Sequence, residues 1–309
     1  MKVAITGGSG FVGSRLVKRL HTNGIKVFVF TRNPNHAQKV FPQKVYPNVE
    51  IVAYTPTLSG DWQSVIASCD AIVNLAGEAI GEGRWTSERK QEILNSRKLG
   101  TQKIVEAITN GDNKPSVLIN ASAIGFYGTS ETETFDETSP AGKDFLAEVC
   151  QAWEGEAQKV NAAGVRLVII RLGIVLGMGG ALAKMIAPFK IFAGGPIGNG
   201  RQWFSWIHVD DVVSLIIEGL NKTEMSGVYN ATAPKPVRMA ELCSTMGKIM
   251  NRPSWLPVPP FALEALLGEG AIIVLEGQQV LPNRTQSSGF DYNYSSLESA
   301  LTEILKSGA

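Results

Sequence analysis

The chain has 309 residues, of which 44% are hydrophobic and 18% are charged, and its formal net charge is +1. This is the balance of an ordinary globular protein with one large domain or two joined ones, and it does not favour bulk attraction to nucleic acid or to an anionic membrane. The three cysteines are far apart and form no CxxC pair, which argues against a disulfide framework and against a zinc site: Cys69, Cys150 and Cys243.

The sequence shows no membrane-spanning or targeting pattern. No run of about 18 or more apolar residues occurs, and the nearest candidate, 179–198, contains two lysines and two prolines. Met1 leads directly into the first predicted strand, which leaves no room for a signal peptide. We therefore expect a cytoplasmic protein without a membrane span.

The first predicted strand, 2–5, runs into a glycine-rich turn, and apolar residues at helical spacing follow within that turn. A strand, a glycine turn and a helix in this order let the backbone approach a pyrophosphate, whose charge is attracted by the free amides at the helix start. The turn predicts a dinucleotide site rather than a plain loop. Its contacts are expected from these residues: Gly7, Ser9, Gly10, Phe11, Val12 and Gly13.

Strands and helices alternate through the first half of the chain. Further strands are predicted where short apolar runs are rich in β-branched residues: 27–30, 49–53, 71–75, 117–120 and 167–171. Longer helical patterns cover about 87–109 and 144–163. This alternation predicts an α/β fold, a doubly wound parallel sheet of the Rossmann type, with ligands bound beyond the carboxyl ends of the strands.

The pattern changes after residue 180. A loop rich in glycine, proline and aromatic residues is predicted over a cleft at 188–206, and later elements are predicted at 206–217, 228–231, 239–250 and 281–305. We predict that 1–180, rejoined by 207–231, forms the cofactor-binding domain. Residues 181–206 and 232–309 are then expected to form a smaller C-terminal substrate-binding region.

The end of the second strand indicates which dinucleotide is bound. Folds that bind NAD usually place an acidic residue there to bind the ribose hydroxyls. Here the sequence is Phe30-Thr31-Arg32-Asn33, and Arg32 can instead bond a 2′-phosphate. We therefore predict NADP(H), with a solvated surface arginine as the alternative. At the end of the fourth strand, Leu75, Ala76 and Gly77 are predicted to lie along the cofactor.

Four motifs now stand in one order: GGSGFVG at 7–13, NLAG at 74–77, SAIGFYG at 122–128 and WIHVDD at 206–211. Over nearly its whole length the chain resembles the extended short-chain dehydrogenase/reductase superfamily of nucleotide-sugar epimerases and dehydratases. Three longer strings are similar to an atypical subgroup of epimerase family proteins, some of whose cyanobacterial and plastid members are described as cell-division inhibitor homologues: 81–97, 194–208 and 281–294.

The resemblance implies a serine, a tyrosine that transfers a proton, and a lysine four residues later on the same helix face. Ser122 follows the fifth strand and fits the serine, which is also expected to contact the cofactor. No tyrosine of this chain is followed four residues later by lysine. Counting back from Arg171 places the expected pair near Phe145 and Val149, which can neither transfer a proton nor carry a charge.

Two other side chains are candidates for proton transfer. Tyr127 lies five residues after Ser122 in a loop expected to face the cofactor, although the YG turn also predicts a tyrosine that packs and orders the loop. Glu78 follows NLAG directly and is a second candidate acid or base. Its alternatives are to orient a backbone amide or to bind the substrate.

Three cations are candidate substrate ligands: Arg84, Lys184 and Arg201. In the related nucleotide-sugar enzymes an arginine from the loop equivalent to that of Arg201 grips the substrate phosphate, and planar guanidinium groups suit that task. Together these residues indicate an anionic substrate, whereas singly each can be a rim salt bridge.

No metal site is predicted. His208, Asp210 and Asp211 stand at a strand-to-helix junction, where one histidine and adjacent carboxylates give poor spacing for a metal. We interpret Asp210 or Asp211 as a helix N-cap and His208 as structural.

Two hypotheses follow. The first is an NADP(H)-dependent oxidoreductase or epimerase-like enzyme of atypical mechanism that acts on a small, anionic molecule. The second is a non-catalytic NADP(H)-binding sensor or interaction protein, which the division-linked relatives would suit. Charge balance and motifs oppose nucleic-acid binding. A monomer and a homodimer are both compatible with the sequence.

Overall fold

The computed structural model describes residues 1–307. Its strands are β1 (Lys2–Thr6), β2 (Lys26–Thr31), β3 (Val49–Ala53), β4 (Ala71–Asn74), β5 (Val117–Ala123), β6 (Thr134–Phe135), β7 (Arg166–Leu172), β8 (Ile174–Leu176), β9 (Trp203–Phe204), β10 (Trp206–His208), β11 (Gly227–Ala231), β12 (Val237–Arg238) and β13 (Gln279–Val280). Its helices are α1 (Phe11–Thr22), α2 (Pro34–Val40), α3 (Trp62–Ala67), α4 (Ser87–Asn110), α5 (Phe145–Gln158), α6 (Gly180–Lys190), α7 (Val209–Asn221), α8 (Met239–Met250), α9 (Pro260–Leu267), α10 (Ile272–Leu275), α11 (Asn283–Ser287) and α12 (Leu297–Ser307).

Seven strands form one parallel sheet in the order β11-β7-β5-β4-β1-β2-β3. The predicted doubly wound α/β fold is therefore confirmed. The strand order reverses between β1 and β4, and in such sheets ligands bind in the crevice at the carboxyl ends of the strands beside the reversal. The glycine turn after β1 and the segment after β4 meet at this point.

Helices cover both faces of the sheet, so neighbouring positions of one strand belong to different cores. On β1, Val3 and Ile5 pack into a cluster with α1 and α7, while Ala4 packs into a cluster with α3, α4 and α5. The strands are consequently apolar at almost every position instead of alternating with polar residues. Burial of both faces holds the strand ends, and hence the crevice, in a fixed place.

A third apolar cluster lies outside the main sheet. It joins α6, α8 and α12 with the short strands β8, β9 and β10, and Trp206 is completely buried at its centre. The chain returns to the main sheet through β11, which pairs with β7. The proposed division into a cofactor domain and a substrate-binding region stays a prediction. No helix within residues 1–307 is both long and apolar enough to cross a membrane.

The junction between β10 and α7 differs from the prediction. His208 caps α7, because its Nδ1 accepts the amide of Asp210 at 3.1 Å. The prediction that Asp210 or Asp211 is the N-cap is wrong, since both lie in the first turn. Asp210 pairs with Arg15 at 2.7 Å, and buried Asp211 accepts the amides of residues 293 and 294, which fastens the C-terminal segment to α7.

Candidate functional site

The glycine turn brings the backbone of β1 against the end of β4. Gly7 has φ +69°, and a Cβ on it would lie 2.8 Å from the carbonyl carbon of Leu75. A Cβ on Gly13 would collide with the carbonyl oxygen of Gly7. Gly10 caps α1 without a side-chain hydrogen bond, so the first-turn amides are available to an anion. A side chain at position 7 or 13 would collide with this backbone, so glycine is required at both positions.

Phe11 and Val12 contribute backbone at the helix start, while their side chains pack elsewhere. The Phe11 ring lies against the segment that begins α6, where a Cβ on Gly177 or Gly179 would be 2.8 Å from the ring. Val12 packs against the core between α1 and the sheet. Ser9 is partly exposed in the glycine turn between β1 and α1. The predicted cofactor residues of this turn therefore lie together at the crevice.

Arg32 meets an acidic partner that the local sequence does not show. Its guanidinium forms an ion pair with the carboxylate of Glu78, which follows β4, and Glu78 also lies 3.5 Å from Arg89 of α4. Partial burial opposes ionisation of Glu78, but Arg32 and Arg89 lower the pKa of its carboxyl below its ordinary value. The Arg32 side chain is 67% exposed, so it can turn toward another anion.

The segment after β4 is held between the glycine turn and α4. Leu75 donates its amide to Thr6 at 3.2 Å and touches Gly7. A Cβ on Gly77 would lie 2.9 Å from Cζ of Arg97, a residue of α4. The absence of a side chain at Gly77 therefore makes room for the Arg97 guanidinium.

A buried polar ladder joins three neighbouring strands, β1, β4 and β5. Thr6 donates to Asn74 Oδ1 at 2.6 Å, and Asn74 donates to Asn120 Oδ1 at 2.7 Å and to Thr101 of α4 at 2.9 Å. Because these bonds are made away from water, they fix β1, β4, β5 and α4 relative to one another. The ladder therefore holds together the strands whose ends form the crevice.

Ser122 and Tyr127 belong to a buried network around an ion pair. Arg171 of β7 binds both oxygens of Glu154 of α5 at 2.8 Å, and Ser122 donates to Glu154 at 2.6 Å. Arg171 also donates to the Tyr127 hydroxyl at 2.9 Å, and that hydroxyl donates to Asn230 at 2.7 Å. The two side chains predicted for catalysis thus have protein partners, and burial raises the pKa of Tyr127 to about 12.

Replacing Tyr127 with phenylalanine should cost stability while leaving cofactor binding unchanged. The change removes a hydroxyl that partners both Arg171 and Asn230, and an unsatisfied buried polar group costs about 1–3 kcal/mol. Urea unfolding measures the loss, and titration with NADPH measures binding. A stable variant with impaired turnover would instead assign the hydroxyl to catalysis.

Helix α5 presents no proton-transfer pair to the crevice. Phe145 and Val149 lie in an apolar cluster with Trp85, whose ring centroid is 5.2 Å from that of Phe145. Leu146 and Cys150 pack against the segment that follows β5: a Cβ on residue 125 would lie 3.2 Å from Leu146 Cβ and 4.0 Å from Cys150 Sγ. Neither face carries a charged side chain at these positions.

The three thiols should be unreactive in the folded protein. Burial raises the pKa of Cys69, Cys150 and Cys243 to about 11 in each case, and the thiolate is the reactive form. Reaction with a chromogenic disulfide at pH 8 should therefore be slow for the native protein and fast in denaturant. Rapid labelling of Cys150 alone in the native protein would contradict this expectation and expose it as a nucleophile.

The three predicted substrate cations do not share one place. Arg84 donates to the carbonyl of Ala265 at the end of α9, at 2.6 Å, and Lys184 of α6 donates to the carbonyl of Gly81 at 3.3 Å. Arg84 thus contacts α9, and Lys184 contacts the segment 81–84 that carries Arg84. Arg201 forms an ion pair with Glu131, a residue of a different segment, and its side chain is 71% exposed.

Sequence comparison places this crevice in a known family. The model of the NAD dependent epimerase/dehydratase family matches residues 3–232. The chain belongs to that family. A domain of unknown function, DUF1731, matches residues 258–304 and includes helix α9, whose Ala265 carbonyl accepts a hydrogen bond from Arg84. The resemblance predicted from the four motifs is thus confirmed, and the NAD dependent epimerase/dehydratase fold carries the crevice described above.

Individual relatives extend the comparison. The chain is 50% identical to the chloroplastic epimerase family protein SDR39U1 homolog of Arabidopsis thaliana, over 99% of this chain and 87% of the relative. The crystal structure of human epimerase family protein SDR39U1, isoform 2, with NADPH is 34% identical, with a TM-score of 0.85 over 99% of each chain. UDP-glucuronic acid 4-epimerase from Bacillus cereus, solved with NAD, is 18% identical over 99% of this chain and 96% of that one, and shares the fold with a TM-score of 0.79.

Proposed function

We propose that this protein binds NADP(H) in the crevice between β1 and β4 and acts as an atypical oxidoreductase or epimerase-like enzyme on a small, anionic substrate. The observation that carries the proposal is the cradle of Gly7, Gly10 and Gly13 at the start of α1, where no side chain bonds the first-turn amides, beside the exposed guanidinium of Arg32. When bound, the cofactor supplies or accepts a hydride.

Each part of the cradle has a role in this proposal. The backbone of the glycine turn and of Ser9, Phe11 and Val12 binds the diphosphate, because its amides lie at the positive end of α1. Leu75, Ala76 and Gly77 line the dinucleotide. Arg32 exchanges its bond with Glu78 for one with the 2′-phosphate. The human relative solved with NADPH supports the choice of cofactor.

We do not assign proton transfer to Ser122 or Tyr127. Their hydroxyls bond Glu154, Arg171 and Asn230 inside the protein, where they brace β5 and β7. Glu78 is ionised and faces Arg32 and Arg89, which suits charge balance at the cofactor better than transfer of a proton. Arg84 and Lys184 are retained as ligands for the anionic substrate, and Arg201 as a cation at the rim.

A second candidate function is cofactor binding without turnover, as in a redox sensor or an interaction protein. It is favoured by the sequence of α5, where neither Phe145 and Val149 nor Leu146 and Cys150 can supply the tyrosine and lysine that the resemblance implies. Cytoplasmic location, and monomer or homodimer formation, stay predictions under either function.

One experiment separates the two functions. The protein is titrated with NADPH and with NADH, and the NADPH-loaded protein is then mixed with aldehydes, quinones and nucleotide sugars while the absorbance of the reduced nicotinamide is followed. Tight binding with oxidation by one class supports the enzyme. Tight binding with no oxidation by any class supports the binding protein. Failure of the wild-type chain to bind NADPH would overturn both.

A further inference from the structure

Arg97 is a partly buried cation without a carboxylate partner. Its guanidinium donates to the carbonyl of Ile93 at 3.1 Å and to that of Glu78 at 3.0 Å. Within residues 1–307 no carboxylate oxygen lies within 4.0 Å of it, and burial lowers its pKa. Every other arginine at the crevice has an acidic partner or an exposed position: Arg32 and Arg89 share Glu78.

The guanidinium is nevertheless held in one place. It lies over the indole of Trp153 of α5, 5.2 Å from the ring centroid, and against the vacant side of Gly77. Trp153 is only 5% exposed, and its Nε1 has no hydrogen-bond partner in the described residues. The guanidinium has five N–H groups, and its hydrogen bonds to the carbonyls of Ile93 and Glu78 use two of them. Buried donors normally find acceptors.

The position of Arg97 relates it to the missing pair on α5. Gly77 ends the segment proposed to line the cofactor, and Trp153, whose ring the guanidinium overlies, is a residue of α5. A desolvated charge is costly unless it is compensated. Because the protein supplies only carbonyls, the remaining donors are best satisfied by an oxygen of negative charge.

We infer that Arg97, with Trp153 beside it, is a binding site for an oxyanion of the ligand in the crevice, and that α4 thereby supplies the fixed positive charge that α5 lacks. The inference rests on the proposed function, because the ligand is the cofactor or the substrate bound beside it. A phosphate and a carboxylate share the required chemistry, since both match the planar guanidinium. The oxyanion belongs either to the cofactor diphosphate or to an acidic substrate.

Three probes distinguish these sources. Isothermal titration is carried out with NADPH, with 2′,5′-ADP, and with oxalate added to NADPH-loaded protein. The 2′,5′-ADP probe keeps the 2′-phosphate and the adenosine-side phosphate of the diphosphate but lacks the nicotinamide-side phosphate. The variants are Arg97→Met, Arg97→Gln and Arg97→Lys. Lys98→Met is the matched control, because Lys98 is the adjacent, exposed cation of the same helix.

A diphosphate source predicts that Arg97→Met weakens NADPH about tenfold or more. Binding of 2′,5′-ADP is then weakened too if the adenosine-side phosphate is bound, and unchanged if the nicotinamide-side phosphate is bound. An acidic-substrate source predicts unchanged NADPH, with oxalate bound by the wild type and not by Arg97→Met. In both cases Arg97→Gln resembles Arg97→Met, Arg97→Lys retains part of the affinity, and Lys98→Met matches the wild type. If Arg97→Met does not fold, the comparison of Arg97→Lys with Arg97→Gln decides.

Two results would overturn the inference while leaving the proposed function intact. One is wild-type affinity of Arg97→Met and Arg97→Gln for NADPH, with oxalate binding equal to that of the wild type. The other is a lower urea midpoint of the ligand-free variants with unchanged ligand binding, since that describes a structural residue. Failure of the wild type to bind NADPH would instead overturn the proposed function itself.

Discussion

Replacing Arg32 with alanine should weaken NADPH binding about tenfold to a hundredfold and leave NADH binding nearly unchanged. A hydrogen bond to a charged group is worth about 1.5–3 kcal/mol, and each 1.4 kcal/mol is about tenfold in affinity. NADH lacks the 2′-phosphate, so it loses nothing when the guanidinium is removed. Fluorescence titration of the reduced nicotinamide gives both dissociation constants.

Glu78 makes this prediction sharper, because it occupies Arg32 in the ligand-free protein. The 2′-phosphate must displace the carboxylate, whose charge Arg89 then continues to balance from 3.5 Å. Glu78→Gln should therefore tighten NADPH binding, while Glu78→Gln combined with Arg32→Ala should bind NADPH as weakly as Arg32→Ala alone. Because Arg89 and Arg32 depress the pKa of Glu78, its competition should persist down to acidic pH and weaken only when the carboxyl is protonated.

The matched control for Arg32 is Arg15→Ala, which removes another exposed guanidinium that pairs with an acidic residue, Asp210. It should leave both dissociation constants unchanged. Equal loss of NADPH and NADH affinity in Arg32→Ala would mean that Arg32 supports the crevice in general. Unchanged NADPH affinity would mean that another group binds the 2′-phosphate or that none does.

The sequence predicts the fold well because local signals agree with it. Apolar runs at β1, β2, β4, β5 and β7 are separated by helical patterns, and only a parallel sheet covered on both faces buries all of them. Glycines of the first turn are similarly informative, since Gly7 has a positive φ and Gly13 leaves no room for a Cβ. Helix α6 is not predicted from the sequence, because Gly179 and Gly180 at its start and Pro188 in its last turn are residues that disfavour a helix.

The site is predicted less completely, because its charges pair across long stretches of chain. Arg32 and Glu78 are 46 residues apart in the chain. No acidic residue lies close to Arg32 in the sequence, so the sequence does not reveal that a carboxylate lies beside it in the folded protein. Arg97 closes the string at 81–97 that supports the resemblance, yet its lack of an acidic partner is visible only in three dimensions. The placement of the missing pair near Phe145 and Val149, counted back from Arg171, stays a prediction, because only packing shows that Leu146 and Cys150 contact the segment after β5.

The crevice is supported by other polar residues in the absence of a tyrosine–lysine pair. The network of Ser122, Glu154, Arg171 and Tyr127 occupies the volume between β5, α5 and β7. Stacking adds to it, since the Arg171 guanidinium lies 3.3 Å from the ring centroid of Phe126. If these polar residues form the framework, their removal must lower stability before it alters chemistry.

Glu154→Ala should therefore be the most destabilising single change in the site. Glu154 and Arg171 have side chains only 4% and 5% exposed, and removing one partner of a buried ion pair costs about 3–5 kcal/mol because the other charge stays buried without compensation. Urea unfolding of the ligand-free protein measures the change. Lys26→Ala, which breaks the exposed pair with Glu50, is the control and should cost less than about 1 kcal/mol.

The double variant Glu154→Leu with Arg171→Met decides what the pair is for. Well-packed apolar replacements of a buried ion pair are often neutral or stabilising, so the double variant should recover much of the stability lost in Glu154→Ala. Recovery of stability together with wild-type NADPH binding and turnover would make the network a framework only. Recovered stability with lost turnover would show that the Glu154 carboxylate acts on the reaction through Ser122, which returns that hydroxyl to the catalytic centre.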